Sequence, residues 1–226
     1  NFSGIERVPV PAGFKGVLRP YQEDALGWFA FLKKFSFGGI LADDMGLGKT
    51  VQVLAWFAGE MEKGKQGPSL VVSPTSVLFN WQAEAKRFVP DLKILAYAGN
   101  NRSDLIKEID QADLVITTYG LVRRDIEIFK DLQFNYIVLD ESQAIKNSNS
   151  QIAKAVRLLR AGHRLCLTGT PLENNVGELW SQMEFLNPKL LGSRAAFDRR
   201  FAKPIAQGDK TARDILKKMV KAFLLR

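Results

Sequence analysis

The sequence predicts an α/β fold, a three-layer αβα sandwich around a mostly parallel central sheet. Short apolar, β-branched runs alternate with segments of helical spacing, the pattern of repeated βαβ units. Those runs are almost continuously hydrophobic, so both faces of the sheet should be covered, as parallel sheets require. One of them leads directly into a glycine-bearing loop and a helix start, an arrangement found at the strand ends of α/β nucleotide sites.

The chain has 226 residues, enough for one large domain or a core with an appendage. Apolar residues at 46% and charged residues at 25% are ordinary for a folded globular protein and argue against disordered or fibrous classes. A formal charge of +8 favours association with polyanions, although a merely solvated basic surface accounts for it equally well. The single Cys166 lies in an apolar run and is read as a packed, reduced thiol. No apolar stretch is long enough to span a bilayer, so an intracellular protein without membrane partners is expected. The start Asn1-Phe2-Ser3 lacks an initiator Met and any targeting pattern, which suggests a chain taken from something longer.

Residues 1–17 contain Pro9, Pro11, Gly13 and Gly16 and read as an extended arm. From Tyr21 to Phe35, the positions of Ala25, Leu26, Trp28, Phe29 and Leu32 give an amphipathic helix. Strands are then expected at Gly39–Ala42, Leu70–Ser73, Ile94–Tyr97, Leu114–Thr117, Ile137–Asp140 and Leu165–Thr168. Helices are expected at Lys49–Lys63, Leu78–Phe88, Arg102–Ile109, Gln151–Leu159 and Val176–Leu186. Residues 18–191 form this α/β unit. Residues 192–226 read as basic helices broken at Pro204 and at Gly208-Asp209, leading away from it.

The run Ile40-Leu41-Ala42-Asp43-Asp44-Met45-Gly46-Leu47-Gly48-Lys49-Thr50 places strand, loop and helix in the order a phosphate-binding loop needs. Gly46 and Gly48 let backbone N–H groups curl around the β- and γ-phosphates, and the helix N-terminus adds partial positive charge. Lys49 would neutralise the phosphates and the Thr50 hydroxyl would ligate Mg²⁺. The usual first glycine is replaced by Asp43. The plain alternative is a strand terminator followed by a solvated lysine.

A second motif lies at Tyr136-Ile137-Val138-Leu139-Asp140-Glu141, where two carboxylates follow a strand on the same sheet edge. Asp140 would hold Mg²⁺ and Glu141 would orient and deprotonate a water attacking the γ-phosphate. Capping of the next helix is the competing explanation.

With these motifs in place, the chain resembles the N-terminal RecA-like lobe of Swi/Snf-type ATPases in helicase superfamily two, nearly throughout its length. Leu18-Arg19-Pro20-Tyr21-Gln22 resembles that family's adenine-recognition segment, in which Gln22 would read the base. Asp43 to Thr50 resembles its motif I, including the Asp in place of the first glycine, and implies ATP contacts from Asp44, Met45, Gly46, Leu47, Gly48, Lys49 and Thr50. Val72 to Ser76 with Asn80-Trp81 resembles motif Ia, and Thr117-Thr118-Tyr119 resembles motif Ib, both facing the DNA backbone. Asp140-Glu141-Ser142-Gln143 resembles motif II, with Gln143 where many relatives carry His. Leu167-Thr168-Gly169-Thr170-Pro171, with Glu173-Asn174-Asn175 and Glu178-Leu179-Trp180, resembles motif III, and Gln143, Thr168 and Thr170 would couple the nucleotide and DNA sites.

The resemblance implies a DNA-dependent ATPase using ATP and Mg²⁺ on double-stranded DNA, acting with a second RecA-like lobe of the same polypeptide toward which Phe223-Leu224-Leu225-Arg226 would lead. Sequence-independent contact with DNA phosphates is expected from Ser73, Thr75, Thr117 and Lys146, although strand-end hydroxyls are also common turn caps. A nucleotide- or DNA-binding module with little hydrolysis of its own is a rival. An unrelated P-loop kinase or transporter ATPase is another, against which Thr168 to Pro171 argues. Trp81 and Trp180 recur at helical spacing with Leu78, Ala85, Leu179 and Met183 and are read as core, and His163 as structural. Gln143 and the compact spacing point to a bacterial or archaeal member, in cytoplasm or nucleoid; a eukaryotic one would be nuclear.

Overall fold

The computed structural model describes residues 6–44, 46–64, 66–99, 102–169 and 176–226. Met45, Thr170, Pro171 and Glu173 to Asn175, each singled out above, lie outside the described residues.

In chain order the elements are α1 (Pro20–Lys34), β1 (Gly39–Leu41), α2 (Lys49–Glu62), β2 (Ser69–Ser73), α3 (Leu78–Phe88), β3 (Ile94–Ala96), α4 (Arg102–Leu105), β4 (Leu114–Thr118), α5 (Tyr119–Arg124) and α6 (Ile126–Phe129). There follow β5 (Gln133–Leu139), α7 (Gln151–Leu158), β6 (Arg160–Leu167), α8 (Val176–Leu186), α9 (Arg194–Phe197), α10 (Lys203–Ala206), α11 (Lys210–Val220) and β7 (Leu224–Leu225).

Among the described residues the sheet has seven strands in the order β3-β4-β2-β5-β6-β1-β7, and each pair is parallel. The expected α/β class is therefore the observed one. β1, β2 and β4 are buried along their whole lengths, which explains the unbroken apolar runs. From β1 through β2 to β3 the chain moves toward one edge of the sheet, and from β3 through β4, β5 and β6 to β7 it moves back. Right-handed crossovers then put α2 and α3 on one face and the helices after β4, β5 and β6 on the other. The contacts agree: α1, α2 and α3 pack side by side, and so do α5, α7 and α8.

Differences from the sequence reading have local causes. β6 begins at Arg160 rather than Leu165, because its polar first half still pairs with Gln133–Ile137 of β5 beyond the covered centre of the sheet. The helix expected over Arg102–Ile109 tightens to a 3₁₀ turn at Ile106–Gln111. Pro204 is not a break. The backbone stays helical from Arg194 to Ala206, and a π-helical turn at Asp198–Ala202 lies directly before Lys203-Pro204, loosening the hydrogen-bond ladder where Pro204 has no N–H to give. The interruption falls at Gln207–Asp209.

The segment before α1 and the tail both pack on the sandwich. Phe14 stacks on Phe88 with ring centroids 5.6 Å apart. The tail buries Leu216, Val220 and Phe223, the Trp28 indole donates to the Ala222 carbonyl at 3.0 Å, and β7 pairs with β1.

Candidate active site

Because the strands are parallel, the residues following β1, β2, β4, β5 and β6 all emerge at one edge of the sheet. Lys49 and Thr50 open α2 after β1, Asp140 and Glu141 follow β5, and Thr168 follows β6.

The loop before α2 turns on two left-handed glycines, Gly46 with φ 83° and Gly48 with φ 77°. Gly48 directly precedes α2, so the free N–H groups of a 14-residue helix open onto the loop. Its conformation is held from outside: Gln22 Nε2 and the Tyr21 hydroxyl both donate to the Leu47 carbonyl at 3.0 Å. Gln22 Oε1 meanwhile accepts the Arg19 N–H at 2.9 Å, so this one buried amide caps α1 and braces the loop together. Lys49 Nζ folds back to donate to the carbonyls of Asp43 at 2.7 Å and Asp44 at 3.2 Å.

Asp43 and Asp44 separate in role. Asp43, the residue replacing the usual glycine, is buried, and its Oδ2 accepts Gln52 Nε2 at 3.0 Å. It thereby ties the loop to the second turn of α2. Asp44 is exposed, with Arg226 at 3.7 Å, a surface pair of little energetic weight. Gln52 escaped the sequence reading; its only signal is a polar residue inside the buried run of α2.

Asp140 is only 8% exposed. Its Oδ1 accepts the Glu141 N–H at 2.9 Å, its Oδ2 accepts the Trp81 indole N–H at 2.8 Å, and its main-chain carbonyl accepts the Tyr119 hydroxyl at 2.7 Å. Burial raises the Asp140 carboxyl above the ordinary carboxylate range, while the Trp81 and Glu141 N–H groups and the Lys49 charge oppose that rise. Burial likewise raises the Tyr119 hydroxyl well above the ordinary phenol value, so it remains a donor at neutral pH.

Glu141 adopts φ 47° and ψ 54°, a left-handed conformation rare for a non-glycine residue and of the kind that collects at functional sites. Its Oε2 accepts Gln143 Nε2 at 2.6 Å, and Gln143 Oε1 accepts the Thr168 hydroxyl at 3.3 Å. A polar chain thus runs from the end of β6 to the second carboxylate.

The four hydroxyl and lysine positions expected to meet phosphates differ in exposure. Ser73 and Thr117 are fully buried; Ser73 Oγ donates to the Pro74 carbonyl at 3.3 Å and Thr117 Oγ1 to the Tyr97 carbonyl at 2.9 Å. Both side chains face the interior, at the ends of parallel strands covered on both faces. Thr75 and Lys146 are exposed. Beside Thr75 lies a cavity of about 550 Å³, bordered by Phe79, Gly99, Thr118, Arg123 and Arg124. Phe79 is 75% exposed. The sequence signal for this trough is the Arg123-Arg124 pair, which begins four residues past motif Ib.

Trp180 is buried and donates to the Gly192 carbonyl at 3.2 Å. The His163 ring lies tilted against Tyr136, centroids 4.8 Å apart, and burial lowers its basicity. Burial raises the Cys166 thiol far above its ordinary value, so it is inert at neutral pH. No described helix is long and apolar enough to cross a membrane.

Residues 21–226 match the model of the SNF2-related domain. The chain is 43% identical over 235 residues to the candidate ATP-dependent helicase/translocase YwqA of Bacillus subtilis, covering 100% of this chain and 25% of that protein. It is 41% identical over 243 residues to the TATA-binding protein-associated factor MOT1 of Saccharomyces cerevisiae, covering 96% of this chain and 13% of that protein. It also resembles the solved Sulfolobus solfataricus SWI2/SNF2 ATPase core in complex with dsDNA, with TM-score 0.92 and 43% identity over 98% of this chain and 46% of that one. This chain therefore spans a quarter or less of these two curated relatives and under half of the solved core.

Proposed function

This chain belongs to the SNF2-related family, and from that premise we propose that it is the ATP-binding lobe of a double-stranded-DNA-dependent ATPase that moves along DNA or remodels protein–DNA complexes. The observation that carries this reading is the convergence of Lys49 and Thr50 with Asp140 and Glu141 on one sheet edge, two motifs separated by 90 residues of sequence.

The donor chemistry fits Mg·ATP. Gly46 and Gly48 hold the left-handed turns that let backbone N–H groups face a phosphate, and a Cβ on Gly48 would lie 2.6 Å from Gln22 Nε2. Thr50 and Asp140 offer hard oxygen ligands, and Mg²⁺ commonly takes one or two such protein ligands with phosphate oxygens and water completing the shell. When bound there, Mg²⁺ neutralises charge developing on the β- and γ-oxygens.

The chain's own residues do the rest. Lys49 leaves the Asp43 and Asp44 carbonyls for the phosphates, exchanging neutral acceptors for charged ones. Gln22, already fixed against the loop, presents its remaining amide hydrogen and lone pair toward the adenine. Glu141 takes a proton from water as the water oxygen bonds to the γ-phosphorus and the bond to the β–γ bridging oxygen breaks, giving ADP and phosphate. Gln143 and Thr168 hold Glu141 from the β6 side. Thr75 and Lys146, with the Arg123–Arg124 trough, give backbone-directed, sequence-independent DNA contact inside the cell.

The lobe alone is proposed to turn over slowly, because an arginine supplied by a second RecA-like lobe can contribute about 10³–10⁵ in rate. The test is ATP hydrolysis by the full-length protein against duplex length, with RNA in parallel. Strong stimulation by duplex and far weaker stimulation by RNA are expected. Equal stimulation by both would overturn the DNA-dependent reading.

A further inference from the structure

We propose that Trp81 and Tyr119 are positioning residues for the metal-holding carboxylate, fixing Asp140 from its side chain and its main chain at once. This rests on the reading that Asp140 holds Mg²⁺, and it adds two residues whose burial alone would class them as core.

The carboxylate of Asp140 has about four lone-pair directions. Glu141 N–H takes one on Oδ1 and Trp81 Nε1–H takes one on Oδ2, at 2.9 and 2.8 Å. One direction per oxygen then remains, and the plane of the group is set by two donors approaching from different elements. Tyr119 Oη, 2.7 Å from the Asp140 carbonyl, fixes the backbone carrying that carboxylate. Neither aromatic reaches its partner by chain proximity: Trp81 is 59 residues and Tyr119 is 21 residues from Asp140.

Packing needs explain less than this geometry. A buried indole N–H must find an acceptor, but a backbone carbonyl would serve. Here the acceptor is a buried carboxylate beside the phosphate loop, and the donor has zero exposure, so its direction cannot drift. Groups that orient metal ligands in this way typically govern metal affinity about 10–100-fold.

The variants Trp81→Phe and Tyr119→Phe keep an aromatic ring and delete the donor. In the full-length protein, binding of a fluorescent ADP analogue is followed while Mg²⁺ is titrated, with melting curves to confirm folding. Each variant should raise the half-saturating Mg²⁺ concentration about 10–100-fold, with nucleotide affinity at saturating Mg²⁺ within about twofold of wild type. Because both act on the same carboxylate, the double variant should fall short of the product of the two single effects. Should one variant fail to fold, the other decides. Folded variants with wild-type Mg²⁺ dependence would overturn the proposal, provided Asp140→Asn has lost that dependence. If Asp140→Asn itself retains wild-type Mg²⁺ dependence, the underlying assignment of Asp140 as the metal ligand fails instead.

Discussion

Replacing Gly48 by Ala tests how the phosphate loop is held. Gly48 has φ 77°, and an alanine forced into left-handed space costs roughly 1–2 kcal/mol. Its Cβ would also lie 2.6 Å from Gln22 Nε2, so the amide must leave its place on Leu47. That releases the bonds to the Leu47 carbonyl and the Arg19 N–H, worth about 1 kcal/mol each net of exchange with water. Gly46 is the matched control, with φ 83° but nothing within 4 Å of an added Cβ. Gly46→Ala should therefore show the strain alone, and Gly48→Ala about 1–2 kcal/mol more. For a domain of this size that difference lowers the melting temperature by about 3–6 °C beyond the control, measured by circular dichroism. Gly48→Ala should also erode discrimination of ATP over GTP in equilibrium binding, since Gln22 loses its seat. Equal melting temperatures for the two variants, with unchanged base preference, would refute the idea that Gln22 and Gly48 share one tightly packed contact.

Three further outcomes are expected. Glu141→Gln should bind ATP with near-normal affinity yet lose at least about 100-fold in turnover, whereas Lys49→Ala should weaken both; filter binding beside steady-state hydrolysis separates them, and normal turnover by Glu141→Gln would displace it as the base. The Arg102 guanidinium, bonded to Asp125, is the main cause holding that carboxyl below its ordinary value of 3.8. A carboxyl depressed in the folded state contributes stability that is present above its unfolded value and lost as pH falls through the folded one. Asp125→Asn should therefore destabilise at pH 7 by denaturant titration, with the gap to wild type closing below about pH 4; a gap independent of pH would refute the pairing. Trp28→Phe should cost about 1–3 kcal/mol through the lost bond to Ala222 and the smaller ring, and loosen the tail, read as faster amide exchange at Phe223–Leu225.

Much of this architecture was legible because hydrophobic period and burial coincide. The span Leu78–Phe88 matches to the residue, α8 ends at Leu186 as expected, and each expected strand overlaps an observed one. What escaped was either short or stabilised from a distance. α5 and α6 are 6 and 4 residues long and meet at Asp125, too brief for a 3.6-residue period to register. β7 has 2 residues and exists because β1 offers it an edge. At the site, glycine spacing and a strand-end acidic pair located the loop and the carboxylates. Periodicity reports that Trp81 is inside; it says nothing of which acceptor its N–H finds. For Ser73 and Thr117 chemistry and position point different ways: a hydroxyl suggests phosphate, while both side chains sit buried at the ends of strands covered on both faces.

The strand order explains why the Asp140–Glu141 pair is held from both halves of the sheet. β5 lies between β2 and β6, and β1 lies beyond β6. On one side the sheet therefore presents the phosphate loop after β1 and Thr168 after β6. On the other it presents the segments after β2 and β4, which carry Thr75, Trp81 and Tyr119. A residue at the end of β5 is within reach of both groups, whereas one at the end of β1 or β4 is not. The hydrogen bonds follow that division: Trp81 and Tyr119 hold Asp140 from the β2 and β4 side, while Thr168, through Gln143, holds Glu141 from the β6 side. Two adjacent carboxylates are thus fixed by opposite halves of the sheet, and any shift of one half against the other must change their relative orientation.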